Sequence, residues 1–330
     1  MTFGDEVRFP PTHGDLIWRS VQPSDVSAVT DLSRVCLAAD GGLIIAVEEG
    51  FVRENYLPTP PGQSVAALDP AGSGKLLASA ALRPDHALDE YRVSMLGQVH
   101  PFYRNRGLGT GLLKWGIDIA GRLLKSCPLD RPHVVQVASE AFSPSGERVL
   151  GRNGFGPRHV ERVMSLDLRK PLTQLPMPRG VELASWRPEL ASQFFLVYQA
   201  AFRERLRPGF PAWSQEEWLE WLEVDGEGFR PSETLLAIHG GIPVGFIASA
   251  VLSEIEPRLM WVTQMGVQPE MRRRGIGSVL LSEATRRFQA DASKEVQLDV
   301  AEDNARAINM YERLGFKFVG RRGRYVKALK

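Results

Sequence analysis

Two cysteines in 330 residues, Cys36 and Cys127, are all the thiol this chain has, and neither stands in a CxxC or Cys/His pattern. That argues against a structural zinc site or a disulfide framework and leaves two incidental thiols, with no metal expected. Charge of one sign is also lacking: 40 Lys and Arg against 39 Asp and Glu give a net charge of +1. Generic nucleic-acid and membrane-surface binders carry a large basic surplus, so neither partner is expected, and any attraction for anions has to be local. Long apolar runs are missing as well. The longest early one, residues 43–47, falls far short of the ~20 residues of a membrane span. Asp5, Glu6 and Arg8 are followed by no apolar stretch of the signal-peptide kind. The expected location is cytoplasmic. What is there is ordinary globular material, 43% hydrophobic and 24% charged, enough for two domains at roughly 100–200 residues each.

The chain repeats itself. Val99-His100-Pro101-Phe102-Tyr103-Arg104-Asn105-Arg106-Gly107-Leu108-Gly109 returns 168 positions later as Val267-Gln268-Pro269-Glu270-Met271-Arg272-Arg273-Arg274-Gly275-Ile276-Gly277. The same shift lays residues 76–82 on 244–250, and Asn153-Gly154-Phe155 matches Leu314-Gly315-Phe316 at a shift of 161. Each copy reads as a short strand (16–21; 181–186), helical segments (25–38; 189–202) and β-rich apolar runs (76–82, 93–99; 244–251, 260–267). A helix follows each glycine turn, with apolar spacing at Leu108, Leu112, Leu113, Ile117, Ala120 and Leu124, and again at Ile276, Leu280, Leu281, Ala284 and Phe288. A strand (133–138; 295–300) and a short helix close each copy. Strands alternating with helices imply an α/β fold, a mixed α+β sheet covered on its faces.

Between the copies, residues 168–180 hold three prolines and a final glycine in thirteen positions, the composition of an extended linker. The expected partition is 1–172, a linker at 173–180, and 181–330.

Arg104-x-x-Gly107-x-Gly109 and Arg272-x-x-Gly275-x-Gly277 each join a strand to a helix start. Such a start exposes unpaired N–H groups and the positive end of the helix dipole, and glycines let a pyrophosphate approach without a Cβ in the way. Arg106, Arg273 and Arg274 add local positive charge. Other phosphate motifs fit worse. Ser278 follows Gly277 directly, so a P-loop lysine is missing, and Leu112 stands where a dinucleotide fingerprint needs its third glycine.

Strand, Arg-x-x-Gly-x-Gly, helix, strand, then Asn304-x-x-Ala307-x-x-x-Tyr311-x-x-x-Gly315-Phe316 resembles the GNAT superfamily of acyl-CoA N-acyltransferases. The resemblance covers both copies, and the second carries both signature segments. As a tandem pair with the fuller motifs in the C-terminal copy, the chain is also similar to the mycothiol synthase group of tandem GNAT enzymes, to which residues 198–222 add a further likeness. The resemblance implies two tandem GNAT-like domains that could pair as an intramolecular pseudo-dimer. It implies acetyl-CoA as co-substrate and direct attack by an amine acceptor. Backbone groups of Met265 and Val267 would pair with the pantetheine amides. N–H groups of Arg272, Arg273, Arg274, Gly275, Gly277 and Ser278 would cradle the pyrophosphate, Asn304 would steady the cofactor arm, and Tyr311 would protonate the departing thiolate. The matching positions of the first copy are Val99, Arg104, Arg106, Gly107, Gly109 and Thr110.

Physical chemistry supports the roles in the second copy. Residues 305–314 read as a helix with Asn304 as N-cap and Gly315 as stop. Asn304 and Tyr311 are then nearly two turns and about 10 Å apart on one face. A phenol with an ordinary pKa of about 10 has a proton to give at neutral pH. The base is unassigned. Relatives often carry a Glu on the strand before the turn, whereas 259–265 here holds no acid. Glu254, Glu256, Asp299 and Glu302 are the candidates, with Thr263 or Gln264 as holders of a relay water. In the first copy Ser143 and Leu150 take the places of Asn304 and Tyr311, and leucine has no proton to donate. That copy is expected to be degenerate and non-catalytic.

Residues 202–227, with Arg203, Arg205, Arg207, Trp213, Trp218 and Trp221, fall where the family shapes its acceptor site, although Trp218 and Trp221 at a spacing of three also suit a core face. The basic tail of Arg321, Arg322, Arg324, Lys327 and Lys330 reads as a solvated strand edge. Two rival functions are a non-catalytic acyl-CoA-binding sensor or scaffold and a protein N-acetyltransferase.

Overall fold

Residues 76–82 are apolar or small at every position, and the strand they form is buried on both faces. Helices must therefore cover both sides of the sheet, and the structure, a computed structural model, has that arrangement twice. It describes residues 8–11, 16–57, 60, 62–85, 87, 89–203, 213–223, 228–253 and 258–329. Asp5, Glu6, Arg205, Arg207, Glu254, Glu256 and Lys330 lie outside the described residues.

The chain divides into two units, Met1–Arg162 with Val319–Lys330, and Val163–Phe318. The first unit contains β1 (Ile17–Ser20), α1 (Val26–Asp40), α2 (Glu49–Tyr56), β2 (Ser64–Leu68), β3 (Leu76–Pro84), β4 (Tyr91–Val99), α3 (Leu108–Leu124), β5 (His133–Ser139), α4 (Pro144–Arg152) and the start of β6 (Gly156–Asp167). Strands β1 to β4 are joined antiparallel in sequence order, and β4 runs parallel to β5. One core cluster joins the sheet to α3 and α4 through Leu108, Leu112, Leu124 and Leu150. Another joins it to α1 and α2 through Val29, Leu32, Val52 and Tyr56.

The second unit contains the end of β6, then β7 (Val181–Ser185), α5 (Ala191–Phe202), α6 (Gln215–Glu223), β8 (Leu235–His239), β9 (Ile242–Ser253), β10 (Leu259–Val267), α7 (Ile276–Ala290), β11 (Glu295–Ala301) and α8 (Ala305–Arg313). Its strands stand in the order β6-β11-β10-β9-β8-β7. A two-residue turn closes β8 onto β9, with φ of 57° at Gly240 and 80° at Gly241, the paired positive angles that match strand twist. Leu280, Leu281, Phe288 and Tyr311 build the cluster under α7 and α8. Phe194, Trp218 and Phe246 build the one under α5 and α6.

The units are drawn differently from the sequential partition at 1–172, 173–180 and 181–330. The last strand, β12 (Lys317–Ala328), pairs antiparallel with β5 from Gly323 opposite Ser139 to Ala328 opposite Val134. Pairing and burial decide this, because β5 would otherwise present a bare edge. Tyr325 of β12 is 8% exposed in the first unit's core. Nor is the basic tail a solvated edge. Arg321 is bonded to Glu147, and Arg322 and Arg324 reach Glu140 at 2.6 and 2.8 Å.

Candidate active site

The turn between β10 and α7 is built by two left-handed residues, Arg273 at φ 66° and Gly275 at φ 81°. Alternate left-handed residues curl the backbone into a concavity lined with N–H groups. Helix α7 closes its first bond from Val279 N–H to the Gly275 carbonyl, so the N–H groups of Ile276, Gly277 and Ser278 are not spent by the helix. Arg273 and Arg274 are exposed beside them. The first unit repeats this geometry, with Asn105 at φ 61°, Gly107 at φ 88°, and a first helical bond from Gly111 N–H to the Gly107 carbonyl. Each turn can hold a doubly charged phosphate group through backbone donors.

The arginines that open the two motifs serve the turn itself. Arg272 donates from Nε to the Val267 carbonyl at 3.1 Å and from Nη2 to the Ala201 carbonyl at 3.1 Å, while its own N–H goes to Pro269 O at 3.3 Å. Arg104 likewise donates from Nε to Val99 O at 3.0 Å and grips Asp40 with two bonds of 2.6 and 2.7 Å. The cradle of free donors therefore begins one residue later than the motif, at Arg273.

Ahead of the turn, β10 and β11 part. Their parallel pairing ends at Val262 opposite Leu298, whereas β10 continues to Val267, paired on its other side with Gly245 of β9. Met265 and Val267 thus lie on a stretch of strand whose β11 side is open, with side chains against the cluster under α7 and α8. An extended chain of amides could add itself there as a strand.

Asn304 caps α8, its side-chain oxygen accepting from Ala307 N–H at 3.3 Å, which leaves its amide NH2 as a donor. Tyr311 is 7% exposed in the cluster under α7 and α8, its ring 5.9 Å from that of Phe316. The equivalent pair in the first unit is Leu150 and Phe155, both buried, and Ser143 caps α4 by accepting from Gly146 N–H at 2.9 Å. One frame thus carries a phenol in one unit and an alkyl group in the other.

In the first unit the glycine turn opens on a cavity of about 520 Å³ that runs from Gly107 and Thr110 past Val99 to Tyr56 and Leu150. Volume and shape suit an extended ligand of drug size. Its far end is polar: the Gln98 amide donates to Ser33 Oγ at 3.0 Å and to Ser79 Oγ at 3.2 Å, and Tyr56 shares a bond with Ser79. Cys36 lines the same wall, and burial pushes its thiol up to about 11, which keeps it protonated and unreactive at neutral pH.

Three features escaped the sequence reading. Thr263 is the extra residue of a β-bulge, since Val262 faces Ser249 and Gln264 faces Ala248. Trp218, fully buried, donates from Nε1 to the Gln264 oxygen at 3.0 Å, and Trp261 donates to Asp299 at 3.2 Å. Gly266 permits close packing, because a Cβ there would lie 2.7 Å from the Ala201 Cβ on α5. Only the bulge is beyond any sequence signal. Of the base candidates, Asp299 is on β11 and Glu302 follows it. No described helix is long and apolar enough to cross a membrane.

Comparison with known proteins agrees with this geometry. The Acetyltransferase (GNAT) family matches residues 195–316. A mycothiol acetyltransferase of Frankia casuarinae is 30% identical over 277 residues, 79% of this chain and 76% of that protein. One from Geodermatophilus obscurus is 27% identical over 302 residues, 90% and 92% of the two chains. Among solved structures, a GCN5-related N-acetyltransferase from Sphaerobacter thermophilus aligns with a TM-score of 0.75 at 26% identity, over 96% of this chain and 97% of that one. With that extent of likeness and two units of one design, the chain belongs to the GNAT acetyltransferase family and is a tandem N-acetyltransferase that uses acetyl-CoA.

Proposed function

We propose that the second unit transfers the acetyl group of acetyl-CoA to the amine of a small molecule, while the first unit holds acyl-CoA without turning it over. The observation that carries this reading is the contrast on one frame: a buried phenol at Tyr311 where the first unit has Leu150. In the second unit the N–H groups after Arg272 hold the pyrophosphate, the open side of β10 at Met265 and Val267 receives the pantetheine amides, and the Asn304 amide steadies the arm. The neutral amine nitrogen forms the new bond to the acetyl carbon as the C–S bond breaks, and Tyr311 supplies a proton to the leaving sulfur. The proton that the nitrogen sheds passes to water, from which the phenol is restored. In the first unit, the residues from Val99 to Thr110 and the cavity beside them suit the same cofactor.

The acceptor follows from likeness. Two similar proteins are named for mycothiol acetylation, which makes deacetylated mycothiol the first amine to try. The test is release of CoA thiol together with a gain of one acetyl mass on the amine. Tyr311→Phe keeps the ring in its packing and removes the proton. Its kcat is expected to fall roughly 10²- to 10⁴-fold, with CoA affinity within about twofold of wild type. Wild-type kcat in that variant would overturn the role of Tyr311. Binding of CoA without thiol release for any amine would favour a sensor.

A further inference from the structure

We infer that Asp299 and Thr263, with Trp261 as support, form the subsite that receives the acceptor's amino group, and that the acceptor arrives as a cation. The inference rests on the proposed amine acetylation and names the part of the site that selects the amine.

The first observation is where the strands part. In the first unit the parallel pairing runs from Tyr91 opposite His133 to Met95 opposite Val137. In the second it runs from Leu259 opposite Glu295 to Val262 opposite Leu298, and stops one rung short. The missing rung is Thr263 with Asp299, the counterparts of Met95 and Val137 at shifts of 168 and 162. The bulge falls on the same residue, whereas β4 pairs with β3 from Val99 to Val93 without interruption. The gap between β10 and β11 thus opens at the one rung that carries a carboxylate and a hydroxyl.

The second observation is the chemistry at that opening. Trp261 Nε1 donates to Asp299 Oδ1 at 3.2 Å and fixes the direction of the carboxylate. Thr263 Oγ1 is buried and has no hydrogen-bond partner among the described residues. A buried hydroxyl without a partner is costly, and a bound ligand is one way to satisfy it. Gln264 is the weaker rival, because its oxygen is neutral and takes the Trp218 indole N–H at 3.0 Å, whereas Asp299 carries the charge that matches a cation. An ammonium brings three donors and no acceptor, so it needs the oxygens of Asp299 and Thr263 while it docks, and it gives one proton to water before its nitrogen can attack. In the first unit the four counterparts are Val93, Met95, Leu96 and Val137, none of which binds a cation.

The third observation is the face. Val296, Leu298 and Val300 of β11 belong to the cluster under α7 and α8, as Tyr311 does, and alternation puts Asp299 on the opposite face. Trp261 lies opposite Ala250 of β9, two residues from Ala248 in the cluster under α5 and α6. The amine therefore enters from the α5 and α6 side and the proton donor stands on the other.

The experiment uses the full chain with saturating acetyl-CoA, following CoA-thiol release with deacetylated mycothiol, spermidine and glucosamine as amines. Asp299→Asn keeps an oxygen for the Trp261 indole and removes the charge. For the best amine its KM is expected to rise roughly 10- to 100-fold, the usual loss for a charged hydrogen bond. Its acetyl-CoA KM should be unchanged, and Asp299→Glu should recover part of the amine affinity. Thr263→Val should raise the amine KM by a smaller factor. An amine KM within about twofold of wild type in Asp299→Asn, or a matching rise in acetyl-CoA KM, overturns the inference while amine acetylation stands. A wild-type chain that releases no thiol with any of the three amines overturns both.

Discussion

Arginine 272 shows how a motif residue can matter without touching the ligand. Its guanidinium ties the Val267 carbonyl to Ala201 at the end of α5, which sets the strand-to-helix turn and presents the donors after it. Gly275 does the complementary work at φ 81°, a conformation that costs an L side chain about 1–2 kcal/mol. Space is not its problem, since a Cβ would meet only the Pro178 ring at 3.7 Å. Gly275→Val is therefore expected to distort the turn and to abolish CoA binding at the second unit, while Gly107→Val leaves amine acetylation intact. Calorimetric titration with CoA and the thiol-release rate of each variant check this. Full turnover in Gly275→Val would show that the turn does not hold the cofactor.

At the scale of elements, strands and helices are tied together by carboxylates that must stay ionised. Glu90 is held below the ordinary carboxylate range by its hydrogen bond from Arg158, against the opposing effect of burial. Burial alone would raise Glu140, but Arg322 and Arg324 of β12 outweigh it and bring it down. On α7, the bond from Arg286 lowers Glu283 to about 2, against partial burial and with help from Arg287. A carboxyl lowered in the folded state adds stability that is present above its unfolded pKa, about 4.3, and is lost as pH falls through the folded value. The melting temperature should thus be flat between about pH 7 and 5.5 and fall steadily below about pH 4.5. Scanning fluorimetry across that range decides it, and a flat profile down to pH 3 would contradict the role given to these pairs.

For the whole molecule the exchange of terminal strands matters most. Deleting residues 319–330 removes the partner of β5, takes Tyr325 from the first unit's core, and strips both arginines from buried Glu140. Leaving a buried carboxylate unpaired costs about 3–5 kcal/mol by itself. The truncated chain is expected to lose amide protection in β4 and β5 while β8 to β10 keep theirs, as hydrogen exchange with mass spectrometry would read. Loss confined to the second unit would refute the pairing. Most of the architecture was legible beforehand. The repeat at a shift of 168 is read by laying one half of the sequence on the other, while the periodicity of Leu108 to Leu124 and the two glycine turns are local properties that local sterics and amphipathicity settle. Residues 305–313, with their Asn304 cap, were readable for the same reason. What only the tertiary structure decided are the long-range choices: β12 taking its place beside β5, Arg272 turning to Ala201 rather than outward, and the bulge that parts Thr263 from Asp299. Each depends on which distant backbone groups remain unpaired after the nearest ones have bonded, and no window of sequence contains that remainder.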